Sequence, residues 1–362
     1  MPRLPNAVDF WRGFALLTIF INHIPGVFYE RFTHKNISLS DSAELFVFLA
    51  GWSLHHVIGK PEDQTPISHL GFRLAGRAVT LYAAHLMIVM IAIAMLASAS
   101  RFLENPLLLE WHNAAAVFSD PVDTHIGLVL LSHQLGYFDI LPLYVVLLLF
   151  APLIALIHRT SPQALLPVSI VLYLCTLVFK ITVPTWPTEG QWFFNPLCWQ
   201  LVFVLGFSLS RERGPGAWVR THIDRIRLVA WPIVLGGSLI VWFRWWPDPT
   251  MMPEPRLLFI VGKTFATPPR LIQFLALIAV CTAFYPVIAG ITPRLVAFFS
   301  MLGRNSMQVF CVGSVLSLAC QIIRFYFRGG LVVDTALVVS GIMLLAMTAW
   351  LSEWRVRAQQ TK

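Results

Sequence analysis

DFWRGFALLTIFINH (Asp9–His23), running on through Pro25 to about Tyr29, is apolar and long enough to cross a bilayer. It nevertheless carries Asp9, Arg12 and His23. Ionisable side chains inside a span are expensive and are read as functional by default. At about 100° per residue, the steps from Arg12 to His23 return the helix to within roughly 20° of one direction, and Asp9 lies about 60° from Arg12. The three share a face, with Leu16 and Ile19 between them. The rise from Arg12 to His23 is roughly 16 Å, which puts the guanidinium near one surface and the imidazole deep. Pro25 can bend the helix and free a carbonyl at that depth.

The rest of the chain supports a membrane setting. Of 362 residues, 57% are hydrophobic and 12% charged, with mean hydropathy +0.71. A soluble domain carries about 25% charged residues. The net charge of +8 reads as loop arginines that set topology, not as a nucleic-acid footprint. Cys175, Cys198, Cys281, Cys311 and Cys320 lie in or beside apolar runs with no CxxC pair, so they read as packing residues and no metal site is expected. Walker A, HExxH and GxSxG signatures are absent from the sequence.

Apolar periodicity predicts an all-α polytopic bundle of about ten spans: 9–29, 41–58, 77–98, 138–158, 164–183, 197–210, 228–246, 270–290, 305–325 and 331–352. The segment 256–268 reads as interfacial or re-entrant. Arg3, Lys60, Arg73, Arg77, Arg159, the arginines from Arg211 to Arg227, Arg294, Arg304, Arg355, Arg357 and Lys362 fall on alternate loops. The positive-inside rule makes that side, and both termini, cytoplasmic. No large soluble domain fits, so residues 1–362 are read as one integral-membrane domain.

Further constellations join the first helix. In DSAELFVFLAGWSLHH, Glu44 and His55 share a face. Glu44 can orient His23 and stabilise its imidazolium, or serve as an N-terminal acid matched to the helix dipole. Gly51 permits close backbone approach. In FRLAGRAVTLYAAH (72–85), Arg73 and Arg77 share a face at the cytoplasmic mouth, with Tyr82 and His85 deeper. They suit phosphates or act as topology anchors. In MLGRNSMQVF (301–310), Gly303 ends a turn and Asn305 or Ser306 can cap the next helix, whose N-terminus suits an anion. PTWPTEGQWFFNPLCW (184–199) offers aromatic faces to sugars or forms an interfacial belt. For the first helix, the plainer reading is an Asp9–Arg12 pair closing the helix start, with His23 bonded to a neighbour.

Arg12-x10-His23, ELFVFLAG (Glu44–Gly51), FRLAGRAVTLY and LGRNSMQVF resemble signature segments of the polytopic membrane acyltransferases called the acyltransferase 3 family. VDFWRGFALLTIFINHIP with SDSAELFVFLAGW is similar to the OpgC-type branch, which succinylates periplasmic glucans. The resemblance implies a membrane-bound O-acyltransferase of the bacterial inner membrane. Its donor would be acyl-CoA, with succinyl-CoA as the branch's donor, and it would need no bound cofactor or metal. Its acceptor would be the hydroxyl of a periplasmic glucan or other extracytoplasmic glycan. It assigns catalysis to His23 as general base with Glu44. It assigns the donor's phosphates to Arg12, Arg73 and Arg77, and the reading of the residues above adds Asp9, Tyr82, Asn305 and Ser306 to the substrate-binding set. The competing reading is a proton-coupled transporter or exporter with Asp9, His23 and Glu44 as a relay.

Overall fold

The computed structural model describes residues 5–59 and 66–360; Arg3, Lys60 and Lys362 of the charge pattern lie outside them. Among the described residues the chain is helical, with no strand beyond an isolated bridge between Pro184 and Gln191. The α-helices in chain order are α1 (Ala7–Asn22), α2 (Ser42–Ile58), α3 (Ile67–Phe102), α4 (Ala115–Ser119), α5 (Pro121–Val129), α6 (Ile140–Thr160) and α7 (Leu165–Val178). They continue with α8 (Pro196–Ser210), α9 (Pro215–Thr221), α10 (Ile223–Phe243), α11 (Pro268–Ile291), α12 (Pro293–Arg304), α13 (Ser306–Tyr326) and α14 (Leu331–Gln360).

Every run predicted as a span contains a helix, but not every helix has span length. α3, α6, α10, α11, α13 and α14 are long and apolar enough to cross a membrane. α1, α2, α7 and α8 have 16, 17, 14 and 15 residues, against the roughly 20 that a bilayer needs.

Three boundaries differ from the sequence expectation, each for a local reason. α1 ends at Asn22, not near Tyr29, because Pro25 has no N–H to donate and disfavours helix in the residue before it. Gly26 then takes φ +75° and the chain turns away. α3 begins at Ile67, ten residues before the expected start, so Arg73 and Arg77 lie within the helix, about two and three turns in. The stretch after α11, expected as a loop, forms the amphipathic helix α12, started by Pro293 at its first turn. The five cysteines are free thiols, and Cys198, Cys311 and Cys320 are buried.

The chain divides into two compact units: Met1–Asn36 with Met87–Ala115 and Cys281–Lys362, and Ile37–Leu86 with Ala116–Val280. In the first unit α1 packs chiefly on α12 and α13, and α13 on α14. Glycine makes the α1–α12 crossing possible. A Cβ at Gly13 would lie 1.9 Å from the Phe299 carbonyl oxygen, and one at Gly303 would lie 1.8 Å from that of Asp9. Gly303 is therefore a contact residue in the last turn of α12, not simply a turn-ender.

In the second unit α2 packs chiefly on α8, with α6 and α7 alongside. A Cβ at Gly51 would lie 1.8 Å from the Phe203 carbonyl oxygen, and one at Gly206 would lie 1.9 Å from that of Phe48. The close approach expected of Gly51 is thus made to α8. The aromatic segment 184–199 is not a surface belt throughout: Trp192, Phe194 and Trp199 are buried, while Trp186 and Phe193 stay exposed. Trp199 Nε1 donates to the Lys263 carbonyl at 3.1 Å. Residues 259–267 are largely non-helical, and Phe265, Ala266 and Thr267 are buried.

Candidate functional site

The first unit carries the residues of α1. Asn6 caps the helix by accepting the Asp9 N–H at 2.9 Å, and its amide donates to Asp9 Oδ2 at 2.6 Å. Asp9 Oδ1 then faces Arg12 NH1 at 3.8 Å, and both side chains are largely buried. This is the pair at the helix start anticipated as the plainer reading.

His23 closes α1. It is the C-cap residue, its N–H bonding to the Ile19 carbonyl at 2.9 Å, and its side chain is half-buried. Where α1 stops, its last carbonyls need partners. A polar stripe on α13 supplies them at helical spacing. Ser317 donates to the Phe20 carbonyl at 3.1 Å, and Gln321 to that of His23 at 2.5 Å. Arg324 donates to those of Pro25 at 3.3 Å and Gly26 at 2.7 Å. The carbonyl that Pro25 cannot reach, that of Ile21, accepts the Ile24 N–H at 3.1 Å, and α13 bonds the carbonyls on either side of it.

The stripe is itself held. Asp334 of α14 accepts from Arg324 Nε at 2.8 Å and from the Phe28 N–H at 2.8 Å. Gln321 Oε1 lies 2.7 Å from His112 Nε2. The amide nitrogen of Gln321 faces a carbonyl, so its oxygen faces His112, and that imidazole nitrogen carries the hydrogen. His112, Ser317, Gln321, Arg324 and Asp334 were not among the sequence candidates. The signal was available: Ser317, Gln321 and Arg324 stand at i, i+4 and i+7 in an otherwise apolar span. Asn305 follows α12 and precedes Ser306, the first residue of α13, but its side chain caps neither helix N-terminus. It donates instead to the Met301 carbonyl at 2.9 Å, beside the Arg304–Glu353 ion pair at 2.7 Å.

The second unit holds a dense ionic cluster at the start of α2. Asp41 and Glu44 form a capping box: Asp41 Oδ1 accepts the Ala43 N–H at 2.8 Å, and Glu44 Oε2 accepts the Asp41 N–H at 2.9 Å. Glu44 Oε1 takes both Arg270 Nε at 2.8 Å and NH2 at 2.5 Å. Asp41 Oδ2 lies 2.6 Å from Lys263 Nζ and 3.5 Å from Arg270 NH2. The Lys263 ammonium also sits over the rings of Phe193 and Phe194, at 5.6 and 5.4 Å. Asp139, just before α6, lies within electrostatic reach of Lys263 and Asp41. Glu44 is 0% exposed; desolvation on that scale is tolerable only because its oxygens are fully bonded. The N-terminal-acid reading of Glu44 is thus realised and extended by a guanidinium that sequence spacing did not reveal.

Several arginines here serve helix ends, where free carbonyls and the negative end of the helix dipole favour cations. Arg73 donates to the Val57 carbonyl. Arg220 donates to the Leu209 and Arg211 carbonyls, and Arg211 to that of Pro162 at 2.9 Å. Arg77 is exposed on α3. Tyr82 donates to the Val129 carbonyl at 2.8 Å. Next to it on α3, His85 is 1% exposed.

Several span-length apolar helices, buried ion pairs and glycine-mediated crossings define a multi-pass α-helical membrane protein. The chain belongs to the OpgC family: the family model described as OpgC protein matches residues 4–357. Comparison with curated proteins gave no match.

Proposed function

We propose that the protein is a membrane-bound O-acyltransferase of the bacterial inner membrane, within the wider acyltransferase 3 group. It moves an acyl group, succinyl in this branch, from acyl-CoA on the cytoplasmic side to a hydroxyl of a periplasmic glucan. The observation that carries this reading is the OpgC family match over nearly the whole chain.

His23 is the general base. Its imidazole takes the acceptor's hydroxyl proton as that oxygen attacks the thioester carbonyl. The tetrahedral intermediate collapses by breaking the carbon–sulfur bond, and the proton passes to the departing CoA thiolate. A base must stay in place through this step, and a half-buried ring at a helix end whose main chain is clamped by Gln321 and Arg324 suits that requirement.

Arg12, held by Asp9, is assigned to the donor, as are Arg73 and Arg77, whose guanidinium chemistry suits phosphate. Tyr82, Asn305 and Ser306 complete the proposed substrate-binding set. Glu44 keeps its assignment to catalysis, and its bonds make it the residue on which the Asp41–Lys263–Arg270 cluster depends.

The test is incubation of the purified chain with isotope-labelled succinyl-CoA and a β-glucan oligosaccharide, read by product mass. The expected result is a labelled ester on the sugar and release of free CoA, both requiring protein and acceptor together. Translocation of a glycan with no ester formed would instead support the proton-coupled transporter, with Asp9, His23 and Glu44 as its relay.

A further inference from the structure

We propose that the groove between α10 and α11 binds an anionic phospholipid, with its phosphate at Arg225 and His222 and one acyl chain along the groove. This does not depend on the catalytic reading.

The groove is an open cavity of about 680 Å³ lined at one end by Trp218, His222 and Arg225. The rest of its wall is apolar: Ile226, Val229, Ala230 and Ile233 from α10, and Ile272, Leu275 and Ala276 from α11. That volume falls in the range of small-molecule sites, roughly 300–1,000 Å³.

The order of the lining residues fits a lipid. Arg225 lies in the first turn of α10, where a spanning helix reaches the headgroups. From there to Ile233 the helix rises about 12 Å toward the span's centre, and the side chains it presents to the groove over that rise, Ile226, Val229, Ala230 and Ile233, are all apolar. Trp218 and His222 stand at the same end, their rings tilted against each other at 4.9 Å between centroids, and a tryptophan is a common side chain at the membrane interface.

The groove also opens where lipid is. Beside it α10 exposes Leu228 (75%), Val229 (64%) and Leu235 (56%), an apolar surface that belongs in hydrocarbon. The charges at the polar end are not neutral overall. Asp224 is paired with Arg227 at 3.0 Å, and Arg227 Nε also donates to the Ala279 carbonyl. Arg225 has no ion pair among the described residues. From Arg211 to Arg227 the sequence carries five arginines against Glu212 and Asp224. A phosphate diester with an acyl tail complements this gradient. A zwitterionic headgroup brings the same phosphate with a cation attached, which the surrounding arginines oppose, and a basic pocket between spans is a recognised lipid-headgroup geometry.

The experiment is lipid retention by the detergent-purified full chain. It is read by native mass spectrometry against phosphatidylglycerol and phosphatidylcholine of identical chains. The expected result is phosphatidylglycerol held about fivefold more tightly, from about one cation's worth of headgroup attraction. Arg225→Gln should bring phosphatidylglycerol down to the phosphatidylcholine level. Ile272→Trp, at an exposed wall position, should fill the groove and weaken both lipids. Equal retention of the two lipids would overturn the proposal, as would a preference unchanged in Arg225→Gln. A dimer that retains no lipid would also overturn it, because a second copy would then occupy the groove.

Discussion

α1 crosses α12 at Gly13 and Gly303, and α2 crosses α8 at Gly51 and Gly206. Both pairs rest on the same device: two glycines, each facing a partner carbonyl, so that the backbones touch. The polar groups differ in kind. Around α2 they are charged, buried and used up on one another, with Glu44 and Asp41 locked to Arg270 and Lys263. Around α1 the ion pair is looser, and the far end of the helix is held by side chains bonding to main-chain carbonyls. A saturated ionic cluster fixes the position of its members, Glu44 among them. A helix end gripped through its backbone keeps a side chain, His23, in place for the chemistry proposed for it.

That contrast can be broken at its root. Gly51→Leu or Gly303→Leu must separate helices whose backbones already touch, with no flexible side chain to give way. The expected loss is at least about 3 kcal/mol, seen as a collapse of the thermal transition in detergent. Parental melting of either variant would mean that these crossings are not close-packed.

The ionic cluster comes next. Glu44→Ala leaves Arg270 buried without its main partner and should cost about 3–5 kcal/mol. The paired exchange Glu44→Leu with Arg270→Met removes both charges and should recover most of that loss. No recovery would mean that the charges themselves, and not only the space they fill, hold α2 in place.

The clamp on α1 is expected to be worth less. Arg324→Ala removes two bonds to carbonyls and leaves Asp334 with only the Phe28 N–H, a loss of about 2 kcal/mol. Activity should fall further than stability, because the His23 end of α1 loosens. Equal falls in both would reduce the clamp to scaffolding. The smallest stability effect belongs to Arg12→Ala, about 1–2 kcal/mol, because the pair is long at 3.8 Å and the buried Asp9 keeps its bond from the Asn6 amide. Its expected signature is a several-fold rise in KM for acyl-CoA, measured by thiol release at saturating acceptor. An unchanged KM would remove Arg12 from the donor site.

Much of this architecture was legible in the sequence. Apolar runs located ten helices, because burial in hydrocarbon demands continuous apolar length. Asp9, Arg12, His23 and Glu44 stood out because charge is rare in such runs. Helix ends were less legible: α1 was drawn seven residues too long, although Pro25 marks where its ladder fails. α12 was missed because a twelve-residue amphipathic helix has neither span length nor a polar loop's composition. Lys263 and Arg270 could not be found locally. They meet Asp41 and Glu44 across more than two hundred residues, and Lys263 does so from an irregular segment with no period to read. The stripe of Ser317, Gln321 and Arg324 was readable, but only once α13 has a helix end to serve.

The most direct test is single-turnover succinyl transfer by His23→Ala in a preparation whose melting temperature matches that of the parent. The account predicts a rate reduced about 10²–10⁴-fold, the contribution of a positioned general base, with donor binding intact. Transfer within a few-fold of the parent rate would contradict it and move the chemistry away from the end of α1.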